Sequence, residues 1–131
     1  MKIAVIDGKG GGIGKSIVEK LRNSNNKNLE IIGLGTNSQA TSAMLKGGAN
    51  GGATGENAIV WMSQQVDIIV GPMAIIAANS MMGEVTAKMA ESIASSSAKK
   101  ILLPTSQCNI DIVGVEDLQL KELIDRIIKH I

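Results

Sequence analysis

The chain has 131 residues, 44% apolar and 19% charged, with a formal net charge of +1. That length suits one domain, residues 1–131, with a core of its own, and that balance excludes a disordered chain. The charges are scattered, and one Trp stands with no Tyr and no Phe. A basic stripe and a base-stacking platform are both excluded, so nucleic acid is not an expected partner.

Lys2–Ile6 is a short apolar run closed by Asp7-Gly8, which predicts a strand. After a glycine-rich turn, Ile13, Ile17, Val18 and Leu21 recur at helical spacing, and the helix ends among Asn23–Asn26. A second strand is predicted over Leu29–Leu34. Asn37 or Ser38 then caps a helix with Ala40, Ala43 and Met44 on its apolar face, stopped by Gly47-Gly48. Residues 48–58 read as a glycine-rich loop into a short helix ending near Gln64, with Thr54 as its N-cap; residues 58–62, AIVWM, also fit a strand.

Val66–Val70 is continuous in Val and Ile, as in a parallel strand covered on both faces. The longest apolar run, Ile68–Met82, is broken by Gly71, Pro72, Asn79 and Ser80 and falls short of the roughly 20 residues of a spanning helix, so no membrane partner is expected. A helix is predicted over Gly83–Ser95, with Asn79, Ser80 and Glu84 as caps for it or as ligand contacts. Ile101–Leu103 is a strand stopped by Pro104. Ile110–Val113 follows too soon for a parallel crossover, which predicts an antiparallel edge strand blunted by Asp111. The last helix carries Leu120, Leu123, Ile124, Ile127, Ile128 and Ile131 on one face.

Strand and helix alternate, which predicts an α/β sandwich of three layers with a mostly parallel sheet. Its expected order is 3-2-1-4-5, with 2-1-3-4-5 as the rival. Both place a crevice beside the first strand, at the carboxyl ends where ligands sit. The loops 7–14, 35–38, 71–84 and 105–109 converge there. The last of these, Thr105–Asn109, is polar enough to close over a phosphate and short enough to be a plain turn. Cys108 is the only cysteine, so there is no internal disulfide. With no signal peptide, the lone thiol fits a cytoplasmic protein. His130, the only histidine, lies in the terminal helix, so Cys108 is read as an inert thiol. No His/Cys cluster has metal-ligand spacing.

The turn DGKGGGIGKS, residues 7–16, carries the functional signal. A P-loop needs a glycine five residues before the Gly that precedes Lys-Ser; that position is Lys9. The turn resembles the deviant P-loop of the ParA and MinD-like ATPases, with one extra residue. It also resembles the short-chain dehydrogenase fingerprint Thr-Gly-x-x-x-Gly-Ile-Gly, at Gly8, Gly12, Ile13 and Gly14, with Asp7 in place of Thr. That second resemblance covers about the first 35 residues. It implies NAD or NADP with its pyrophosphate on the first turn: Asp7, Gly8, Gly10, Gly11, Gly12, Ile13, Gly14, Lys15 and Ser16, joined by Thr36, Asn37 and Ser38 after the second strand. The physics agrees, because a helix N-terminus presents unpaired N–H groups to an anion. The rival role for Lys15 is a surface pair with Glu19, and that for Asp7 is a cap on the turn amides. The family's catalytic Tyr has no counterpart here, so no catalytic residue carries over.

GATGENAI at 52–59, VDIIVGP at 66–72, ANSMMGEVTAKMAE at 78–91 and KKILLPTSQCN at 99–109 resemble a small bacterial family defined as a domain of unknown function. The likeness runs nearly end to end. It implies a Rossmann-like fold and no activity. The expected function is therefore binding of a nucleotide, NAD(P) first, at the glycine-rich turn. The alternatives are a structural or interaction protein with an empty turn, or a P-loop-like phosphate binder. Met73, Met81, Met82 and Met89 are expected in the core or at an interface, and apolar helix faces are expected to pair in a homodimer.

Overall fold

A computed structural model describes residues 1–26, 28–105 and 109–131. Its strands are β1 (Lys2–Asp7), β2 (Glu30–Gly35), β3 (Gly51–Thr54), β4 (Ile68–Pro72) and β5 (Lys99–Leu103). Its helices are α1 (Gly12–Arg22), α2 (Ser38–Lys46), α3 (Glu56–Met62), α4 (Ala87–Ser95) and α5 (Leu120–Asp125). The strands form one sheet in the order β3-β2-β1-β4-β5, and every pairing is parallel. In β1, residues Ile3 and Val5 face a core built with α1, α2 and the carboxyl-terminal Ile124 and Ile127. Ala4 and Ile6 face the opposite core, built with α3 and α4 through Ile59, Met89 and Ile93. The period-2 alternation of a strand thus feeds two separate cores. Burial of the central strands on both faces explains their unbroken Val/Ile composition.

The sheet departs from expectation at both edges. The third strand along the chain is Gly51–Thr54, inside the stretch expected to be a loop. Counting only the strands anticipated from sequence, their order is 2-1-3-4, and β3 adds beyond β2. Its glycines admit close packing: a Cβ on Gly52 would lie 2.9 Å from Thr41 Cγ2 and 3.1 Å from Gly33 O. Residues 58–62 are helical, and Gly55, not Thr54, is the N-cap of α3. The Thr54 hydroxyl instead meets that of Thr41 at 2.7 Å.

At the other edge, Ile110–Val113 forms no strand, so the expected antiparallel edge strand is absent and the sheet ends at β5. The chain turns there, with Val115 N–H donating to Ile112 O (3.3 Å) and Gly114 at φ +89°. That turn cuts the apolar run before it can lie along β5. The helix expected from Gly83 begins at Ala87, capped by Thr86, whose Oγ1 accepts from Met89 N–H at 3.1 Å. The terminal helix divides into α5 and a 3-10 turn over Ile128–His130. Met73, Met81 and Met89 are core residues, whereas Met82 is exposed. No described helix is long and apolar enough to cross a membrane. Ser106, Gln107 and Cys108, for which a phosphate-closing turn and an inert thiol were expected, lie outside the described residues.

The carboxyl ends of β1 and β4 approach so closely that a Cβ on Gly71 would lie 2.5 Å from the carbonyl oxygen of Ile6. The Ile6 backbone on one side and Ile75 Cδ1, 3.0 Å away, leave little room to relax. Gly71→Ala should therefore cost about 1–3 kcal/mol, read as a lower urea midpoint with an unchanged m-value.

Candidate functional site

β1 ends in Asp7, a carboxylate that is only 3% exposed. Its Oδ1 accepts from Gly8 N–H (2.8 Å) and its Oδ2 from Gly14 N–H (2.7 Å). One side chain thus closes the turn, tying the end of β1 to the first turn of α1. Burial pushes the Asp7 pKa up, the two amides pull it back, and the nearby Glu84 charge adds to the rise.

Two glycines are required by geometry. Gly11 is the N-cap of α1 in the left-handed region, φ +74°, and a Cβ there would lie 2.7 Å from Ala40 Cα. On Gly14 a Cβ would lie 2.8 Å from Met44 Sδ and 2.9 Å from Asp7 Cβ, so the glycine sets how closely α1 approaches β1 and α2. By contrast, a Cβ on Gly12, where approach of a pyrophosphate was expected, meets nothing within 4 Å.

The amides of the turn divide into two sets. Gly8 and Gly14 are held by Asp7, Gly11 donates to Gly8 O (2.9 Å), and Lys9 donates to Glu84 Oε1 (2.9 Å). The amides of Gly10, Gly12 and Ile13 have no acceptor among the described residues. Gly10 and Gly12 are exposed and Ile13 is half-buried. The anion seat expected along the whole turn is therefore half taken internally, and its remainder is the outer rim at the start of α1.

Glu84 comes from the far side of the crevice. Its Oε1 accepts from Lys9 N–H, from the Thr36 hydroxyl (2.7 Å) and from Asn37 Nδ2 (2.8 Å). Three loops, after β1, β2 and β4, are thus latched on one oxygen. The latch occupies two of the expected ligand contacts. Thr36 is taken up by it, and so is Asn37, whose Nδ2 also donates to Lys9 O (2.9 Å) and whose Oδ1 caps α2 by accepting from Ala40 N–H (2.9 Å). Ser38 is exposed and lies outside this cluster. Lys15 stands 3.9 Å from Glu19 in an exposed i,i+4 pair, which contributes little. Ser16 is half-buried one turn into α1.

The loop that carries Glu84 is strained. Asn79, Met81 and Met82 have φ of 66°, 55° and 57°, followed by Gly83 at 89°, and Lys9 opposite has 52°. Each such non-glycine residue costs about 1–2 kcal/mol. Asn79 N–H donates to Val85 O (2.7 Å) and the Ser80 hydroxyl to Ala74 O (2.5 Å). These bonds and the latch hold the loop over Gly8, where a Cβ would lie 2.6 Å from Met81 Sδ. Sequence offered Glu84 as a cap or a ligand contact. It caps no described helix and holds the latch instead, and nothing local announces a partner 75 residues away.

Among the described residues, no group of three or more His, Cys, Asp or Glu is placed to hold a metal ion. Fold and turn together define a parallel α/β domain with a glycine-rich connection at the carboxyl edge of its sheet, covered by a loop from the neighbouring strand. The family model for the domain of unknown function DUF3842 matches residues 2–131, and the chain belongs to that family. No curated protein matches it.

The two carboxylates titrate with opposite sign. Asp7, raised above 3.8, takes up its proton first in the folded state, so stability rises as pH falls between 3.8 and its folded value. The bond from Lys9 N–H is the largest of the causes that lower the Glu84 pKa below 4.5. Its contribution is complete above 4.5 and is lost as pH falls through the lower folded value. Hydrogen exchange at the Lys9 amide should therefore stay slow near neutrality and in Glu84→Gln, which keeps an acceptor, and become fast in Glu84→Ala. Asp7→Ala strands two buried amides and should cost about 2–4 kcal/mol, measured by denaturant unfolding.

Proposed function

We propose that this protein binds a phosphate-bearing nucleotide, NAD before NADP, at the glycine-rich turn, as a Rossmann-like binding domain. The observation that carries the reading is the set of amides on Gly10, Gly12 and Ile13, which have no acceptor among the described residues and stand at the positive end of α1. A phosphate resting there gains charge-assisted hydrogen bonds and the helix dipole. The fingerprint at Gly8, Gly12, Ile13 and Gly14 supports the same ligand class. The choice of NAD rests on Glu84, whose carboxylate stands at the end of β2 beside Thr36 and Asn37. An adenosine ribose reaching that point meets a negative charge, which disfavours a 2′-phosphate. Such a ligand lifts Met81 away from Gly8. With no Tyr in the chain and its one His at position 130, the reading is binding without an acid–base site of its own.

A second reading has one observation in its favour: Met81 and Glu84 lie over Gly8. A crevice filled by the chain's own loop suits an interaction protein whose turn carries no ligand.

Thermal shift with NAD, NADP, ATP, GTP and coenzyme A separates the two. The first reading expects stabilisation by NAD above NADP, a narrower gap in Glu84→Gln, and loss of the shift in Gly12→Val, whose side chain enters open space and leaves the fold intact. No shift with any of the five supports the second reading and removes the first.

A further inference from the structure

We infer that Met81–Glu84 is a lid over the glycine-rich turn, closed by the Glu84 carboxylate and able to open while the rest of the domain stays folded. Both ends of the segment are anchored. On one side the Ser80 hydroxyl donates to Ala74 O (2.5 Å), and on the other Val85 is buried in the core with Met89 and Ile93. The base is drawn shut by Asn79 N–H on Val85 O (2.7 Å) and by Val85 N–H on Ser80 O (3.2 Å). Between these anchors, Gly83 N–H donates to Asn79 O and Ser80 O, and Glu84 N–H to Met81 O. Among the described residues, every hydrogen bond from the lid to anything beyond Asn79–Val85 therefore runs through one atom, Glu84 Oε1.

Two contacts favour the closed form. One is the set of three charge-assisted hydrogen bonds on Oε1. The other is burial of Met81, 9% exposed, over Gly8. Backbone strain opposes them. Met81, Met82 and Gly83 stand in succession in the left-handed region, and so does Lys9, the donor opposite. Release of Oε1 lets the non-glycine residues relax. Met82 is 96% exposed and adds no packing. A segment with one buried side chain, strained dihedrals and a single-atom latch belongs to the low-stability end of a fold, from which lids are drawn. The closed form is autoinhibitory, because the Met81 sulfur fills the space over Gly8 that a ligand must enter. That use as a gate rests on the reading of the turn as a binding site; the opening itself does not, and it is measured without a ligand.

The test is oxidation of the full chain by hydrogen peroxide, followed at each methionine by fragmentation mass spectrometry. A thioether must reach solvent to take up the oxygen, so its rate reads the opening. Wild-type Met81 should oxidise at least about tenfold more slowly than its neighbour Met82. Glu84→Ala should raise the Met81 rate at least about tenfold, toward that of Met82. Met44 in α2 and Met89 in α4, both buried, should stay as slow as in wild type. Glu84→Gln, which keeps an acceptor, should hold Met81 near its wild-type rate. Four results would each overturn the inference: equal rates at Met81 and Met82 in wild type, a Met81 rate unchanged in Glu84→Ala, Met44 and Met89 rising in step with Met81, or Glu84→Gln as fast as Glu84→Ala. A failure of nucleotide binding bears on the turn alone and does not enter these rates.

Discussion

The carboxylate of Asp7 is the joint on which the first half of the molecule turns. A strand and a helix that follow one another in sequence must be brought together at a fixed distance, and the connecting amides must find acceptors. Asp7 supplies two of those acceptors from one buried side chain, to Gly8 and to Gly14. The absence of a Cβ on Gly14 then lets α1 settle against Met44 and Asp7 itself. Burying the charge is unfavourable, and the two short hydrogen bonds offset part of that cost. The same contacts that make the turn rigid withdraw two of its amides from any ligand.

Glu84 is a second carboxylate put to a related use. It joins the loops after β1, β2 and β4 across the carboxyl edge, where ligands of open α/β sheets bind. The loop behind it holds three non-glycine residues in the left-handed region. Such a conformation persists only where the surroundings over-determine it, and the hydrogen bonds to Lys9, Thr36 and Asn37 do so. The crevice is thus shaped by an internal anion at the end of β2 and by unpaired amides at the start of α1. In the proposed reading, the first meets the sugar of a nucleotide and the second its phosphate.

The opposite edge of the sheet has another character. α2 packs on the face of the sheet over Gly52 of β3 and Gly33 of β2. β5 ends the sheet beside an apolar segment that turns at Gly114 instead of pairing.

Periodicity and turn chemistry were enough for the α/β class, for β1, β2, β4 and β5, for α1 and α2, and for the glycine-rich turn, while the cap role of Asp7 stood only as the rival to a ligand contact. Each of those signals is local: an apolar spacing, a cap, a breaker within a few residues. β3 was invisible because four residues with two glycines carry no strand propensity; pairing with β2 makes them a strand. Ile110–Val113 failed in the reverse direction, with strand propensity but no ladder to join. The Glu84 latch, the closure of the crevice by Met81 and the choice of which amides stay unpaired belong to tertiary structure alone. They depend on atoms brought within 3 Å across 75 residues of chain, and hydrogen bonds of that kind leave no periodic trace in the order of the residues.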